Sequence, residues 1–444
     1  MVKSQTMSIY LRRFYQRLLP PTPAPPAPAH FRHLYADIFW FGLLAGSAVA
    51  FLSIYAARIG ATSFQIGLLT AGPAVVNLAF SLPAGRWLEG QSVARLTFLS
   101  SVWHRAAYGV FVFLPVLLPA AAQAWVLPVV VVLMSLPGTL LAIGFNALFA
   151  DVVPPHARAL VVGRRNMLFA VSTTLTALTA GFILDHVVFP LNYQIVFLVG
   201  VVGAALSSYH LGRIRDIRPP VPAVAAPPVE AARPAAQRTS GKPGRGVRPR
   251  PAVRRPGKPL LRLDLLRGPF GLFLLASLAF YVAQNMPVPL FPLFWVNTLH
   301  LSDSAISLNS ALFNVTLLVG SSVLVRVTRR LGNRRVQYLG AFFYGLYPLL
   351  NGLAPSGALV AVASVLGGVI WALTSGAMVS RLMERVPEDD RPAHMALQNV
   401  VLNLGVLIGA LLGPMLSHWV GLRPALVAAG LLRGAAALLL RRWG

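Results

Sequence analysis

The chain has 444 residues, of which 56% are hydrophobic and only 11% charged, and its mean hydropathy is +0.68. That leaves too little polar surface for a water-soluble globule of this size, so a soluble fold is excluded. The formal charge is nonetheless +26, and Cys is absent, which removes disulfides, thiolate metal sites and cysteine nucleophiles.

Residues 1–33 form a basic, Pro-rich tail. Leu11, Phe14 and Leu18 share one face of a short helix, with Arg12, Arg13 and Arg17 around it, ahead of the prolines between Pro20 and Pro28. Two readings stay open for it: an interfacial anchor on anionic lipid, or an ordinary basic tail beside the first span. The apolar run that follows lacks the short core and small-residue site of a cleavable signal, so it is expected to remain as helix 1.

From there the uncharged runs succeed one another. Runs 38–57, 59–84, 106–150 and 166–184 lead to residue 212, and runs 268–302, 304–325, 336–380 and 392–422 lead to the end of the chain. One crossing needs about 20 residues. Runs 106–150 and 336–380 therefore each hold two helices, turning near Pro119 and Pro355. The count is twelve, six per half.

Between the halves, residues 213–268 are rich in Pro, Ala and Arg, bury almost nothing apolar, and are expected to be a disordered linker. The predicted fold is all-α and integral to the membrane. A basic tail at 1–33 precedes a six-helix bundle at 34–212, the linker at 213–268, and a second six-helix bundle at 269–444.

The charge supports this layout. Of the 38 Lys and Arg, all but Arg58, Arg105, Arg423 and Arg433 fall in tails and loops on one side of the twelve predicted spans. That asymmetry places both termini in the cytoplasm of a multi-pass plasma (inner) membrane protein, and it explains the basicity without nucleic acid. Arg58 and Arg423 fall in the opposite loops; Arg105 and Arg433 fall inside spans.

Two loop signatures occur once per half. Arg86 and Arg95 return 240 positions later as Arg326 and Arg335, and Val153, Pro154, Arg158 and Asn166 return 233 positions later as Val386, Pro387, Arg391 and Asn399. A duplicated apolar bundle with duplicated charged loops reads as a transporter built from two repeats related by a pseudo-twofold axis. In the second signature Pro ends the preceding helix, and Arg158 or Arg391 can then reach helix-terminal carbonyls or acids. Asn166 and Asn399, near the start of the next helix, are read as structural.

On helix 7, Pro287, Pro289 and Pro292 remove backbone donors and predict a break. Gln284 and Asn285 beside it are amides at membrane depth and must face protein or water. For Asn285, substrate contact and helix–helix bonding stay equally open; Gln284 leans structural. Tyr55 is expected at the membrane interface. On helix 11, Gly405, Gly409 and Gly413 share a face that permits close backbone approach.

The loop after helix 2 carries the family resemblance. Gly85, Glu89 and Arg95 keep the Gly, the acid and the last basic residue of the major facilitator signature. The second copy keeps Arg330, Gly332, Arg334 and Arg335, but has Arg329 where the acid would stand. With twelve spans in two repeats, the chain resembles the major facilitator superfamily over 34–212 and 269–442. The resemblance implies a gating network on the cytoplasmic side, with Gly85, Glu89, Arg95, Asp151, Arg158, Arg330, Gly332 and Arg391 as its candidates. The alternative is that these are topology-setting surface charges worth about 0–1 kcal/mol per pair.

The resemblance also implies a central cavity between the halves, lined by helices 1, 4, 7 and 10 with 2, 5, 8 and 11. Asn285, Gln284, Asn314, Asn77, Trp371 and Asn403 are its candidate contacts, each weighed against plain packing. No carboxylate is placed at mid-bilayer, where proton-coupled transporters commonly keep one; Asp37, about one turn into helix 1, comes nearest. Arg105 reads equally as an anion contact or as the edge of helix 3.

The expected function is alternating-access transport of a neutral or amphipathic small organic solute, leaning to export. The expected state is monomeric, with the lipid bilayer as partner and no metal, cofactor or nucleic acid. The nine scattered His and the absence of any acid, His or Ser cluster with catalytic spacing argue against an enzyme. A non-transporting receptor or scaffold on the same fold is the alternative.

Overall fold

The structure is a computed structural model and describes residues 29–87, 91–214, 262–387 and 390–444. With no water in a bilayer core, apolar runs satisfy their backbone internally as helices. Among the described residues there are twelve spans. α1 runs through Ala29–Leu44, a π turn at Ala45–Val49, and Ala50–Arg58; α2 is Ser63–Trp87; α3 is Val93–Ala106 with Tyr108–Leu117. α4 is Ala120–Val152, α5 Arg158–His186 and α6 Leu191–Gly212.

In the second half α7 is Pro269–Asn285, continued by Leu290–Leu293 and a π turn at Phe294–Thr298; α8 is Asp303–Leu331. α9 is Asn333–Tyr344 with Leu346–Leu353, α10 Gly357–Arg385, α11 Arg391–Val420 and α12 Leu422–Trp443. Ten of these are long and apolar enough to cross a membrane. The other two, α3 and α9, are each split by a single residue, Ala107 and Gly345, at equivalent places in the halves.

Local chemistry sets the ends. Ser92 and Ser302 cap α3 and α8 by accepting the amides of Arg95 and Ala305 at 3.3 and 3.2 Å. Gly332 closes α8 at φ 80°, a backbone conformation that costs other residues energy. Pro119 opens α4 two residues after α3 ends, and α10 begins at Gly357 four residues after α9 ends, so both expected turns are present.

Helix pairing repeats between the halves. α1 packs on α5 and α6 as α7 does on α11 and α12; α4 packs on α2 and α3 as α10 does on α8 and α9; α3 meets α6 as α9 meets α12. The halves join through α2 with α11 and α5 with α8, two contacts that the same pseudo-twofold relation exchanges. The tail through residue 28, residues 215–261 of the linker, and Glu89 lie outside the described residues. The last linker residues form a 3-10 turn, Leu263–Arg267, and Arg262 before it pairs with Asp264 and Asp390.

The three glycines of α11 press on α7. A Cβ on Gly405 would strike Tyr281, one on Gly409 would meet Val282 and the Cβ of Asn285, and one on Gly413 would overlap the Met286 carbonyl. In the first half the equivalent contact has its glycines on the other member: Gly42 and Gly46 of α1 lie against Ser172, Thr173 and Thr176 of α5. Because backbone blocks the site, Gly413→Ala is expected to cost about 2 kcal/mol of stability through forced separation of α7 and α11. Thermal unfolding in detergent reads it, and an unchanged transition would contradict the packing.

Candidate functional site

The two halves are sealed together on the side away from the termini. There Arg58, at the end of α1, donates to the Leu301 carbonyl at 2.7 Å and to Asp303 at 3.3 Å. The Tyr193 hydroxyl donates to Asp303 at 3.2 Å, and Asp185, at the end of α5, accepts the amides of Asp303 and Ser304 at 2.9 and 3.1 Å. An acid accepting the first free amides of a helix also suits the positive end of the α8 dipole. Close backbone approach reinforces the seam: Gly181 of α5 faces Ser307, and Gly67 of α2 leaves a hypothetical Cβ 2.6 Å from the Ala410 carbonyl. The core of the first half continues across it into Leu293, Val296 and Ile306.

Tyr55 belongs to this closed end. It is fully buried, donates to Gln123, and packs on Tyr193 and Phe197, so its expected interfacial position is corrected. A phenol with a buried amide partner is satisfied inside protein and has no need of the headgroup layer.

Halfway down the seam runs a chain of polar groups. Thr139 of α4 donates to Asn77 of α2 at 2.7 Å, Asn77 donates to Asn403 of α11 at 3.2 Å, and Asn403 donates to the Asn399 carbonyl at 2.9 Å. Two of the expected cavity residues, Asn77 and Asn403, are thus brought together across the halves. The inter-half hydrogen bonds of Arg58, Tyr193 and Asp185 lie on the far side of this polar chain.

Beside it opens a cavity of about 410 Å³ lined by α7, α10 and α11. Trp371, Tyr281 and Phe273 give it aromatic walls, Met378 and Met395 flexible ones, and Gln398 and Asn399 its amides. Gln398 donates to the Tyr281 hydroxyl at 3.1 Å, and Trp371 stacks on Tyr344 at 5.0 Å between ring centres. Among the described residues no charged side chain lines it. Asn399 both lines this cavity and holds Asn403, which ties the pocket to the polar seam. Tyr281, Gln398 and Thr139 were not among the sequence candidates; Gln398 sits one residue before the repeated Asn399, a hint that spacing alone carried.

The break in α7 is where the prolines require it, between Asn285 and Leu290. Asn285 bonds back to the Tyr281 carbonyl at 2.8 Å on the face covered by Gly409, away from the cavity lining. The Val288 amide turns to Asn285, which leaves the Gln284 carbonyl without its usual i+4 donor. Arg433 supplies one at 2.9 Å, and its other nitrogen takes the Tyr344 carbonyl, at the break of α9, at 3.1 Å. This buried guanidinium therefore caps two interrupted helices and lies over the Tyr344 ring. Asn314 is half-buried on α8, outside the residues that line this cavity.

Arg105 is neither a helix edge nor an open anion contact. It is buried within the first half, 3.5 Å from Asp37 and bonded to Ser101 and Ser208 at 2.9 and 3.1 Å. Arg165, which the charge pattern placed in a loop, lies two turns into α5, buried and 3.3 Å from the other oxygen of Asp37. Ser207 completes the carboxylate at 2.6 Å.

On the termini side, Arg158 caps α4 through the Val153 and Ala150 carbonyls at 3.1 and 2.8 Å. Asp151 ends α4, Arg391 begins α11, and both are engaged with neighbours. Gly85 lies in the last turn of α2, Arg95 is exposed in the first turn of α3, and Arg330 lines a recess of α8 with Arg326 and Arg329.

Comparison with known proteins agrees with this architecture. The family model described as "Major Facilitator Superfamily" matches residues 38–282 and 273–443. Multidrug resistance protein 1 of Bacillus subtilis (strain 168) is 23% identical over 138 residues, 31% of this chain and about a third (35%) of that relative's length. Among solved structures, a bacterial homologue of the human lysosomal transporter Spinster, inward-facing and unoccupied, is similar with TM-score 0.65 at 14% identity, covering 93% of this chain and 96% of that one. The nucleoside transporter NupG is similar with TM-score 0.63 at 12% identity, covering 94% and 99%. A D-xylose–proton symporter is similar with TM-score 0.62 at 14% identity, covering 93% and 97%. With its family model matched across both halves, the chain belongs to the Major Facilitator Superfamily and is a membrane-embedded, multi-pass secondary transporter, not an enzyme.

Proposed function

We propose that this transporter exports a neutral or amphipathic small organic solute from the cytoplasm by rocking its two halves about the polar seam. The observation that carries the reading is the cavity lining: aromatic rings, methionines and amides with no charge among the described residues. Such a lining rewards apolar surface and a few hydrogen bonds, and charged metabolites would lose hydration there without compensation. The 138-residue similarity to a multidrug resistance protein supports export as the direction. The charge asymmetry supports cytoplasmic termini in the plasma membrane, and on that reading the Arg58–Asp303 seam closes the outer end. A monomer suffices, because each chain holds both halves of the seam. The Asn77–Asn403 contact serves as the pivot, and Arg158 and Arg391 brace the cytoplasmic ends of α4 and α11.

The test is flux of a solute panel, neutral, cationic and anionic, through full-length protein in liposomes, with and without an imposed pH gradient. Neutral or amphipathic solutes should be moved, and exclusive transport of anions would overturn the reading. Trp371→Ala and Gln398→Ala should each raise the solute KM by about tenfold, the effect of losing one well-packed contact worth about 1–2 kcal/mol. Unchanged KM in both variants would remove this cavity from the path.

A further inference from the structure

A second concavity, of about 770 Å³, lies on the opposite face of α7. Phe273, Ser277 and Tyr281 turn toward the solute cavity; Leu275, Ala279, Val282 and Met286 form the floor of this groove, walled by α11 and α12. Every residue lining it is apolar, and Leu275 and Leu432 are about half exposed within spans that cross the membrane. A groove of this kind faces hydrocarbon.

Its mouth on the termini side identifies the occupant. From Leu275 to Met286 a helix climbs about 17 Å, roughly half of a hydrocarbon core of about 30 Å. Along α7 the groove is therefore about one leaflet deep, and on α11 its wall runs on past the α7 break to Leu416 and Trp419, in the last turns of that helix. On α12 its wall is Leu432, Ala435 and Leu439, and helical spacing carries the same stripe on to Arg442 and Trp443 on the termini side. Arg442 is exposed, with its guanidinium 5.4 Å from the centre of the Trp443 ring. An indole and a cation at the end of an apolar stripe match the headgroup level of a bilayer.

We propose that the part of this groove between Leu275–Met286 and Leu432–Leu439 binds one acyl chain of an anionic phospholipid from the termini-side leaflet, with Arg442 holding the headgroup phosphate. The groove and the solute cavity share α7, so an occupant here supports the wall of the transport path from behind.

The experiment is native mass spectrometry of the full-length protein in non-ionic detergent, offered phosphatidylglycerol and phosphatidylcholine at equal concentration. The wild type should retain one phosphatidylglycerol in preference to phosphatidylcholine. Ala435→Trp fills the groove from an exposed position and should abolish retention while the protein keeps its elution volume and thermal transition. Arg442→Gln should still retain lipid but lose about fivefold of the preference for the anionic headgroup, as expected for one interfacial cation. Retention unaffected by Ala435→Trp, no headgroup preference in the wild type, or displacement of the lipid by glycerol phosphate alone would each overturn the proposal.

Discussion

Replacing Arg58 by Ala is expected to open the far side of the protein in a large part of the population. Arg58 is the cation that Asp303 faces in the closed seam, and Asp303 is 5% exposed. Without it the carboxylate keeps the Tyr193 hydroxyl but stays buried beside Asp185, a second acid. Removing one partner of a buried pair costs about 3–5 kcal/mol. The Arg58 side chain is 28% exposed, so solvent screening reduces this to about 2 kcal/mol.

The penalty falls only on the state in which the halves meet on the far side, because separation returns Asp303 to water. About 2 kcal/mol shifts a two-state equilibrium roughly 30-fold. The chain has no Cys, so spin labels at introduced Val188→Cys and His300→Cys report the far side without background. Pulsed dipolar spectroscopy should then show a longer-distance population in Arg58→Ala. The swap Arg58→Asp with Asp303→Arg should bring the short distance back, because the new guanidinium lies beside Asp185. A distance distribution identical to wild type would show that the contact does not hold the seam.

What could be read from sequence was whatever repeats or obeys a local rule. Run length gave twelve helices, duplicated loops gave two halves, and three prolines gave the break in α7, since each acts within a turn or two of chain. The seam was invisible because its members are far apart in sequence. Arg58 read as an ordinary loop charge and no motif marked Asp185 or Asp303, and only packing of α1, α5 and α8 brings them together.

Buried charge misled in the same way. Arg165 follows Arg164 near a basic loop, so position suggested topology. Its rotation on α5, which points it at Asp37 and the Leu34 carbonyl, is a tertiary fact. The amides divided by the same logic. Asn77 and Asn403 found each other across the halves, whereas Asn285, beside the break, turned back on its own helix. Trp371, singled out from sequence for a cavity between the halves, lines a pocket formed by α7, α10 and α11, and the Gln398–Tyr281 pair there depends on how α7 faces α11.

The buried cluster of the first half yields the sharpest test, because its charges do not balance. One carboxylate, Asp37, serves two guanidiniums, Arg105 at 3.5 Å and Arg165 at 3.3 Å, and all three are buried. Asp37→Asn keeps the shape but leaves two buried cations with nothing to oppose them. Loss of one partner from a single buried pair already costs about 3–5 kcal/mol, so this variant should fall at or beyond that upper figure. Arg105→Met removes the surplus cation and leaves a one-to-one pair of Asp37 with Arg165.

The two serines that Arg105 held already lie 2.7 Å apart and can satisfy each other. Its guanidinium carbon lies 5.4 Å from the centre of the Phe41 ring, and a Met sulfur can meet the same ring. The cost of Arg105→Met should therefore stay near 1 kcal/mol, and the double variant Asp37→Asn with Arg105→Met should recover part of the Asp37→Asn loss. Thermal unfolding and yield of folded protein in detergent order the variants. If Arg105→Met proves as damaging as Asp37→Asn, the cluster is held by something other than its charge balance, and α1, α3, α5 and α6 are locked by packing alone.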